Sequence, residues 1–152
     1  MNQLEKILGS GLYSGYIKTA SGTFGSLVAL FIFLIPGFEN PTLMIFVISV
    51  CIVAGVPIAD KFEKEYGKDP PQFTLDEFIG TWITFLFLPK KIWYLILAFL
   101  IWRALDIFKP FPARRLENIN GGWGVILDDV AAGIYSFMAI QIIIYLLNRF
   151  IL

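Results

Sequence analysis

The sequence contains no histidine, a single cysteine, and few charges for its length. Each shortage removes a class of chemistry. Without histidine there is no imidazole for general acid–base work, no phosphohistidine intermediate and no His ligand for zinc. Cys51 lies alone in an apolar run, so an internal disulfide is excluded and the thiol reads as packed or lipid-facing. Charged residues are 16% of the 152, against about 25% in a soluble domain. The 12 basic and 12 acidic side chains cancel, so no polybasic excess points to nucleic acid. The N-terminal segment has no long apolar core followed by a small-residue cleavage site, and no signal peptide is expected. Repeats, low-complexity tracts and linkers are also absent, so residues 1–152 are expected to form a single domain.

What the sequence has is apolar length. Hydrophobic residues make up 57% of it, and five apolar stretches stand out at 24–35, 42–58, 74–88, 91–107 and 129–147. Pro36-Gly37, Asn40-Pro41 and Pro89-Lys90-Lys91 punctuate them. The pattern predicts an all-α, multi-pass membrane protein with about five short transmembrane or membrane-embedded helices. Only the last stretch approaches the ~20 residues that span a typical bilayer core, so the first and third need flanking residues or a locally thinner bilayer. Fusing 78–102 into one kinked span would bury Lys90 and Lys91 near the bilayer centre, at about 2.5–3.5 kcal/mol each. The break at Pro89 is therefore preferred.

Five passes sort the charges. One side takes nine of the 12 Lys and Arg residues, which makes it cytoplasmic by the positive-inside rule. The same side takes 11 of the 12 acids, leaving only Glu39 outside. That rule does not require acids to follow, because Asp and Glu contribute little to it.

The gathered acids lie at helix ends. Asp60 and Glu63 close the second stretch at i, i+3 spacing, Asp76 and Glu77 open the third, and Asp128 and Asp129 open the fifth. Thr74-Leu-Asp-Glu77 also fits a capping box, and Asp128 also fits a plain N-cap, so both readings stand for these residues. Asp106 is set apart. It lies near the C-terminal end of its helix, where the dipole disfavours an anion, with Arg103 one turn earlier and Lys109 one turn later. Gly22-Thr-Phe-Gly25 and Gly121-Gly-Trp-Gly124 lie on the same side, either exposing backbone N–H groups to an anion or permitting close helix packing. Carboxylates without His or paired Cys point to magnesium, and magnesium beside Lys109, Arg114 and Arg115 suits a phosphate ester. At a membrane interface the natural phosphate ester is a lipid head group.

Read in order, Gly9-Ser-Gly-Leu12, Gly22-Thr-Phe-Gly-Ser26, Asp60-Lys61, Asp76-Glu-Phe-Ile-Gly80 with Trp82, Arg103 with Asp106, Lys109-Pro-Phe-Pro112, Arg114, and Gly121-Gly-Trp-Gly124 leading to Asp128-Asp-Val-Ala-Ala-Gly133 resemble the phosphatidylglycerophosphatase A family. The resemblance covers almost the whole chain. It implies a magnesium-dependent enzyme of bacterial inner membranes that converts phosphatidylglycerophosphate to phosphatidylglycerol and inorganic phosphate. Membrane lipids are then its surroundings and its substrate, and its site faces the cytoplasm. Ser21 and Asn120 stand where the family often has proline and histidine, so a histidine at 120 is not indispensable to the chemistry.

Residues and resemblance together nominate Asp60, Asp76, Glu77, Asp128 and Asp129 as metal ligands. Asp76, Glu77, Asp106 and Asp129 are the catalytic candidates, and Thr23, Arg103, Lys109 and Arg114 the substrate-binding ones. Whether water or a carboxylate attacks phosphorus stays open. Competing enzyme classes lack their signatures: the cysteine-phosphatase loop needs Arg where Pro57 stands, and neither D-x-D nor the D-x-x-D-G of CDP-alcohol phosphotransferases occurs. A small transporter or structural membrane subunit is the alternative from another class, but transporters place ionisable residues near the midplane rather than at helix ends.

Overall fold

The computed structural model describes residues 1–150; residues 151–152 of the expected single domain lie outside them. All regular structure among the described residues is helical: α1 (Gln3–Gly9), α2 (Ser21–Phe33), α3 (Pro41–Tyr66), α4 (Leu75–Thr84), α5 (Ile92–Phe108), α6 (Ala113–Leu116) and α7 (Gly122–Phe150), with a 3-10 turn at Ser14–Tyr16.

Local chemistry sets several of the ends. Asn2 and Glu5 form a reciprocal capping box at the start of α1. The Asn40 side chain accepts from the N–H groups of Thr42 and Leu43, and Pro41, which lacks an N–H of its own, occupies the first turn of α3. Lys109 ends α5 in the left-handed region at φ 44°.

At 1.5 Å per residue, α3 and α7 extend about 39 and 44 Å, more than the ~30 Å hydrocarbon core. These two helices are long and apolar enough to cross a membrane, whereas α2, α4 and α5 are shorter.

α4 is the hub. Nine of its ten residues, Leu75, Asp76 and Phe78–Thr84, are buried, and it packs against α2, α3, α5 and α7. One close approach is at Gly80, where an added Cβ would stand 2.0 Å from the Trp102 ring of α5. Trp82 donates from Nε1 to the carbonyl of Ala29, tying α4 to α2 at 3.0 Å.

Two expectations change on contact with the structure. The stretch 74–88 holds ten helical residues, not a full span. The last helix begins at Gly122 rather than near 129, so Asp128 and Asp129 sit two turns inside it and neither is a cap. At the far end of the bundle, Lys90 donates to the Ile35 carbonyl at 2.8 Å and to Glu39 at 2.6 Å, joining the turn after α2 to the turn before α5.

Candidate active site

At the other end, α4, α5 and α7 each deliver a carboxylate to one place. Glu77, Asp106 and Asp129 can each offer one oxygen within 4.8 Å of the others. Two unit charges at 4.8 Å repel by about 3 kcal/mol at an effective dielectric near 20. Nearby positive charge relieves that repulsion. Arg103 supplies part of it, with one terminal nitrogen donating to Glu77 Oε2 and ion-paired with Asp106 Oδ2 at 3.0 Å. Asp129, only 4% exposed, has no ion-pair partner among the described residues.

Glu77 is held by more than arginine. Ser26 of α2 is fully buried, with Oγ 3.0 Å from Glu77 Oε2, 3.1 Å from Trp102 Nε1 and 3.3 Å from an Arg103 nitrogen. Indole and guanidinium groups only donate. The lone pairs of Ser26 thus serve Trp102 and Arg103, and its one hydroxyl proton goes to Glu77. The Glu77 side chain is committed to this network and not to Thr74, so no capping box forms; the Thr74 hydroxyl bonds Ser14 instead at 3.1 Å. Gly22 completes the enclosure, since a Cβ there would lie 2.0 Å from Glu77 Oε1.

A cavity of about 260 Å³ opens beside the cluster, walled by Ser21, Gly22, Asp69, Pro70, Pro71, Phe73, Asp76, Glu77, Asp106, Ile107, Lys109, Asp128 and Asp129. Lys109 Nζ donates to Asp128 Oδ2 at 2.7 Å and lies 3.5 Å from Glu117. Burial works against the charge on Lys109, but the bond to Asp128 and the surrounding carboxylates outweigh it and hold the ammonium above the usual lysine range. The other oxygen of Asp128, Oδ1, is buried without a hydrogen-bond partner. Asp76 lines the cavity with Oδ1 accepting from the Glu77 N–H at 2.8 Å.

The residues singled out in the sequence thus divide. Asp76, Glu77, Asp106, Lys109, Asp128 and Asp129 line one cavity, with Arg103 bonded to two of them. Asp60 faces a separate pocket with Glu63, Lys64, Lys68, Asn120 and Gly121, and its Oδ1 accepts from the Gly122 N–H at 2.7 Å. Thr23 and Arg114 are not part of the cavity wall; Arg114 is exposed on α6. Sequence reasoning assigned nothing to Asp69, Trp102 or the Ser26 hydroxyl. Ser26 falls one turn after Gly22 on the same helix face, and that spacing is the signal that finds it. Asp69 reaches the cavity through a left-handed backbone, φ 46°, just before Pro70-Pro71.

The site's donors are all oxygens, three of them on converging carboxylates, with a further buried carboxylate oxygen unpartnered. That set fits a hard divalent cation such as magnesium better than zinc.

Comparison with known proteins agrees with the geometry. The family model for phosphatidylglycerophosphatase A matches residues 7–144. A Bacteroides thetaiotaomicron protein described as a putative phosphatidylinositol-3-phosphatase is 39% identical over 147 residues, covering 91% of this chain and 92% of its own. Phosphatidylglycerophosphatase A of Escherichia coli is 37% identical over 133 residues, covering 86% of this chain and 77% of its own. The Haemophilus influenzae protein of the same name is 35% identical over 144 residues, covering 91% and 88%. No solved structure gives a significant match. With its matching segment spanning most of the sequence and relatives above 30% identity over 77% and 88% of their own length, the chain belongs to the phosphatidylglycerophosphatase A family.

Proposed function

We propose that the protein is a magnesium-dependent phosphatase of the bacterial inner membrane that hydrolyses phosphatidylglycerophosphate to phosphatidylglycerol and inorganic phosphate. The observation that carries this reading is the convergence of Glu77, Asp106 and Asp129 beside Arg103 and Lys109, at a cavity of about 260 Å³. α2 to α5 and α7 are read as five membrane-embedded helices, with α4 shielded from lipid by the others and the cavity at the cytoplasmic end. The charge distribution supports that orientation, since Lys90, Lys91 and Arg149 are the only basic residues assigned to the opposite side.

Glu77, Asp106 and Asp129 would hold magnesium, with Asp128 adjoining. Bound there, the ion supplies charge neutralisation to a phosphate that would otherwise be repelled by the carboxylates. The chain's own groups do the rest. Lys109 reaches into the cavity as a point charge for a phosphate oxygen, and Arg103 fixes Glu77 and Asp106 in place. Asp76 lines the cavity without an ion-pair partner among the described residues, and we assign it to take the proton of the attacking water. The water oxygen forms the new P–O bond, the bond to the terminal glycerol oxygen breaks, and Asp76 returns the proton it took to that oxygen, which leaves as the free hydroxyl. Acyl chains stay in the bilayer, so the cavity admits only the head group.

The Bacteroides relative's description favours a second substrate, phosphatidylinositol 3-phosphate. Both lipids are phosphate monoesters on a polyol head group, and they differ in the bulk carried beyond the phosphodiester. Phosphate release from each, in mixed micelles with the purified chain and magnesium, decides between them. The expected result is faster turnover of phosphatidylglycerophosphate. Release from phosphatidylinositol 3-phosphate alone, or from neither lipid, would overturn the proposal.

A further inference from the structure

α5 has two faces along its whole length. Leu95, Ala98, Trp102 and Asp106 are buried at steps of three and four residues. Trp93, Ile96, Leu100, Ala104 and Ile107 are exposed at the same kind of steps, forming an unbroken apolar row on the opposite face. The outer faces of α3 and α7 are apolar too, and apolarity alone implies only lipid. What separates the α5 row is its end point. Ile107 is 69% exposed on the outside of the helix and also forms part of the carboxylate cavity wall, two residues from Lys109. The other large apolar wall residue, Phe73, is buried in protein. Ile107 is thus the place where the polar cavity and the outer apolar surface are continuous.

The dimensions fit a phospholipid. From Ile107 to Trp93 is 14 residues, or about 21 Å of helix, and half of a ~30 Å hydrocarbon core is about 15 Å. The row therefore runs from the head-group level past the depth that a single acyl chain reaches. Ala104, the smallest member, makes the row shallowest one turn below the cavity mouth. Phe108, the last residue of α5, and Phe111 just beyond it are both strongly exposed on either side of Lys109 in sequence, and Arg115 lies 4.9 Å from the Phe111 ring. Exposed aromatics beside basic side chains suit the interface of an anionic bilayer.

Resting on the reading that the substrate is a membrane phospholipid with a terminal phosphate, we propose that the exposed row of α5 is the track for its acyl chains. The phosphate enters the cavity between Lys109 and the carboxylates, the glycerol backbone crosses Ile107, and a chain lies along Ala104, Leu100 and Ile96. Substrate thus reaches the site sideways from the leaflet, over α5, and not from the aqueous phase.

Photocrosslinking in vesicles tests this with the full chain. One variant carries Ala104→p-benzoylphenylalanine; a second carries Val53→p-benzoylphenylalanine, on the equally apolar and highly exposed outer face of α3. The probe is a radiolabelled, non-hydrolysable phosphonate analogue of phosphatidylglycerophosphate, diluted in phosphatidylcholine. A cooperative thermal unfolding transition matching that of the unsubstituted chain confirms that each variant has folded, and phosphate release is read on the unsubstituted chain. The expected result is several-fold more label at 104 than at 53, with the excess removed by unlabelled phosphatidylglycerophosphate. Turnover with equal labelling at both positions overturns the track and leaves the function standing. Absence of turnover by the unsubstituted chain overturns the function and the track with it.

Discussion

Replacing Ser26 by alanine deletes one oxygen that three other groups share. Trp102 and Arg103 donate to it and it donates to Glu77, all at 3.0–3.3 Å and at a fully buried position. Two consequences follow, and they can be separated. The Trp102 indole N–H is left without an acceptor in the core, which costs about 1–3 kcal/mol, and a hydrogen bond to a carboxylate worth about 1.5–3 kcal/mol disappears. Because the terms are not additive, the expected destabilisation is about 2–4 kcal/mol, a fall of roughly 4–16 °C in the thermal midpoint. Glu77 Oε2 also loses the group that fixes it against Arg103, so turnover should drop by about 10- to 100-fold, or about 1.4–2.8 kcal/mol in the barrier. Lys109 is untouched, so KM should change little. Thermal unfolding in detergent and phosphate release at saturating lipid read the two effects. Adding Trp102→Phe to Ser26→Ala removes the orphaned donor while keeping an aromatic ring. That double variant should recover part of the lost stability and none of the lost turnover. Full activity in Ser26→Ala, or a double variant no more stable than the single one, would refute the directed hydrogen-bond network.

Gly22→Ala introduces a Cβ 2.0 Å from Glu77 Oε1, so the carboxylate must move; kcat should fall at least tenfold, or about 1.4 kcal/mol, with near-normal expression. Asp60→Asn keeps a carbonyl oxygen to accept from the Gly122 N–H, so phosphate release should stay within a few-fold of the unsubstituted chain. Loss of metal-dependent turnover in that variant would instead place Asp60 among the ligands. Lys109→Met strands the buried Asp128 carboxylate; removing one partner of a buried pair costs about 3–5 kcal/mol, and the lower end applies because Lys109 is partly exposed. Thermal unfolding should show that loss and kinetics a raised KM, whereas Lys109→Arg should retain most of both.

The grouping of Asp76, Glu77, Asp106, Asp128 and Asp129 was legible because helix ends and turns can be read along the chain. Asp106, two residues inside the end of an apolar helix, stood out for the same reason. What could not be read was the radial position of each acid. Asp60 faces another pocket, because its direction is set by α3 packing on the start of α7. The Thr74–Glu77 spacing satisfied a local capping rule, yet the long-range partners Ser26 and Arg103 took the Glu77 carboxylate. The start of α7 was misplaced because Gly121-Gly-Trp-Gly124 has low helix propensity. Tertiary packing overrides it there: a Cβ at Gly122 would lie 2.1 Å from the Val56 carbonyl, so glycine is what lets α7 begin against α3.

Glu77, Asp106 and Asp129 are proposed to hold magnesium for phosphate-ester hydrolysis. The most direct test is a magnesium titration of phosphate release from phosphatidylglycerophosphate, run on the chelator-stripped chain and on Asp129→Asn in the same detergent. The account predicts no release without added magnesium, saturable activation of the unsubstituted chain, and loss of nearly all turnover in Asp129→Asn at any magnesium concentration. Turnover that persists in chelator, or Asp129→Asn activity equal to that of the unsubstituted chain, would contradict it.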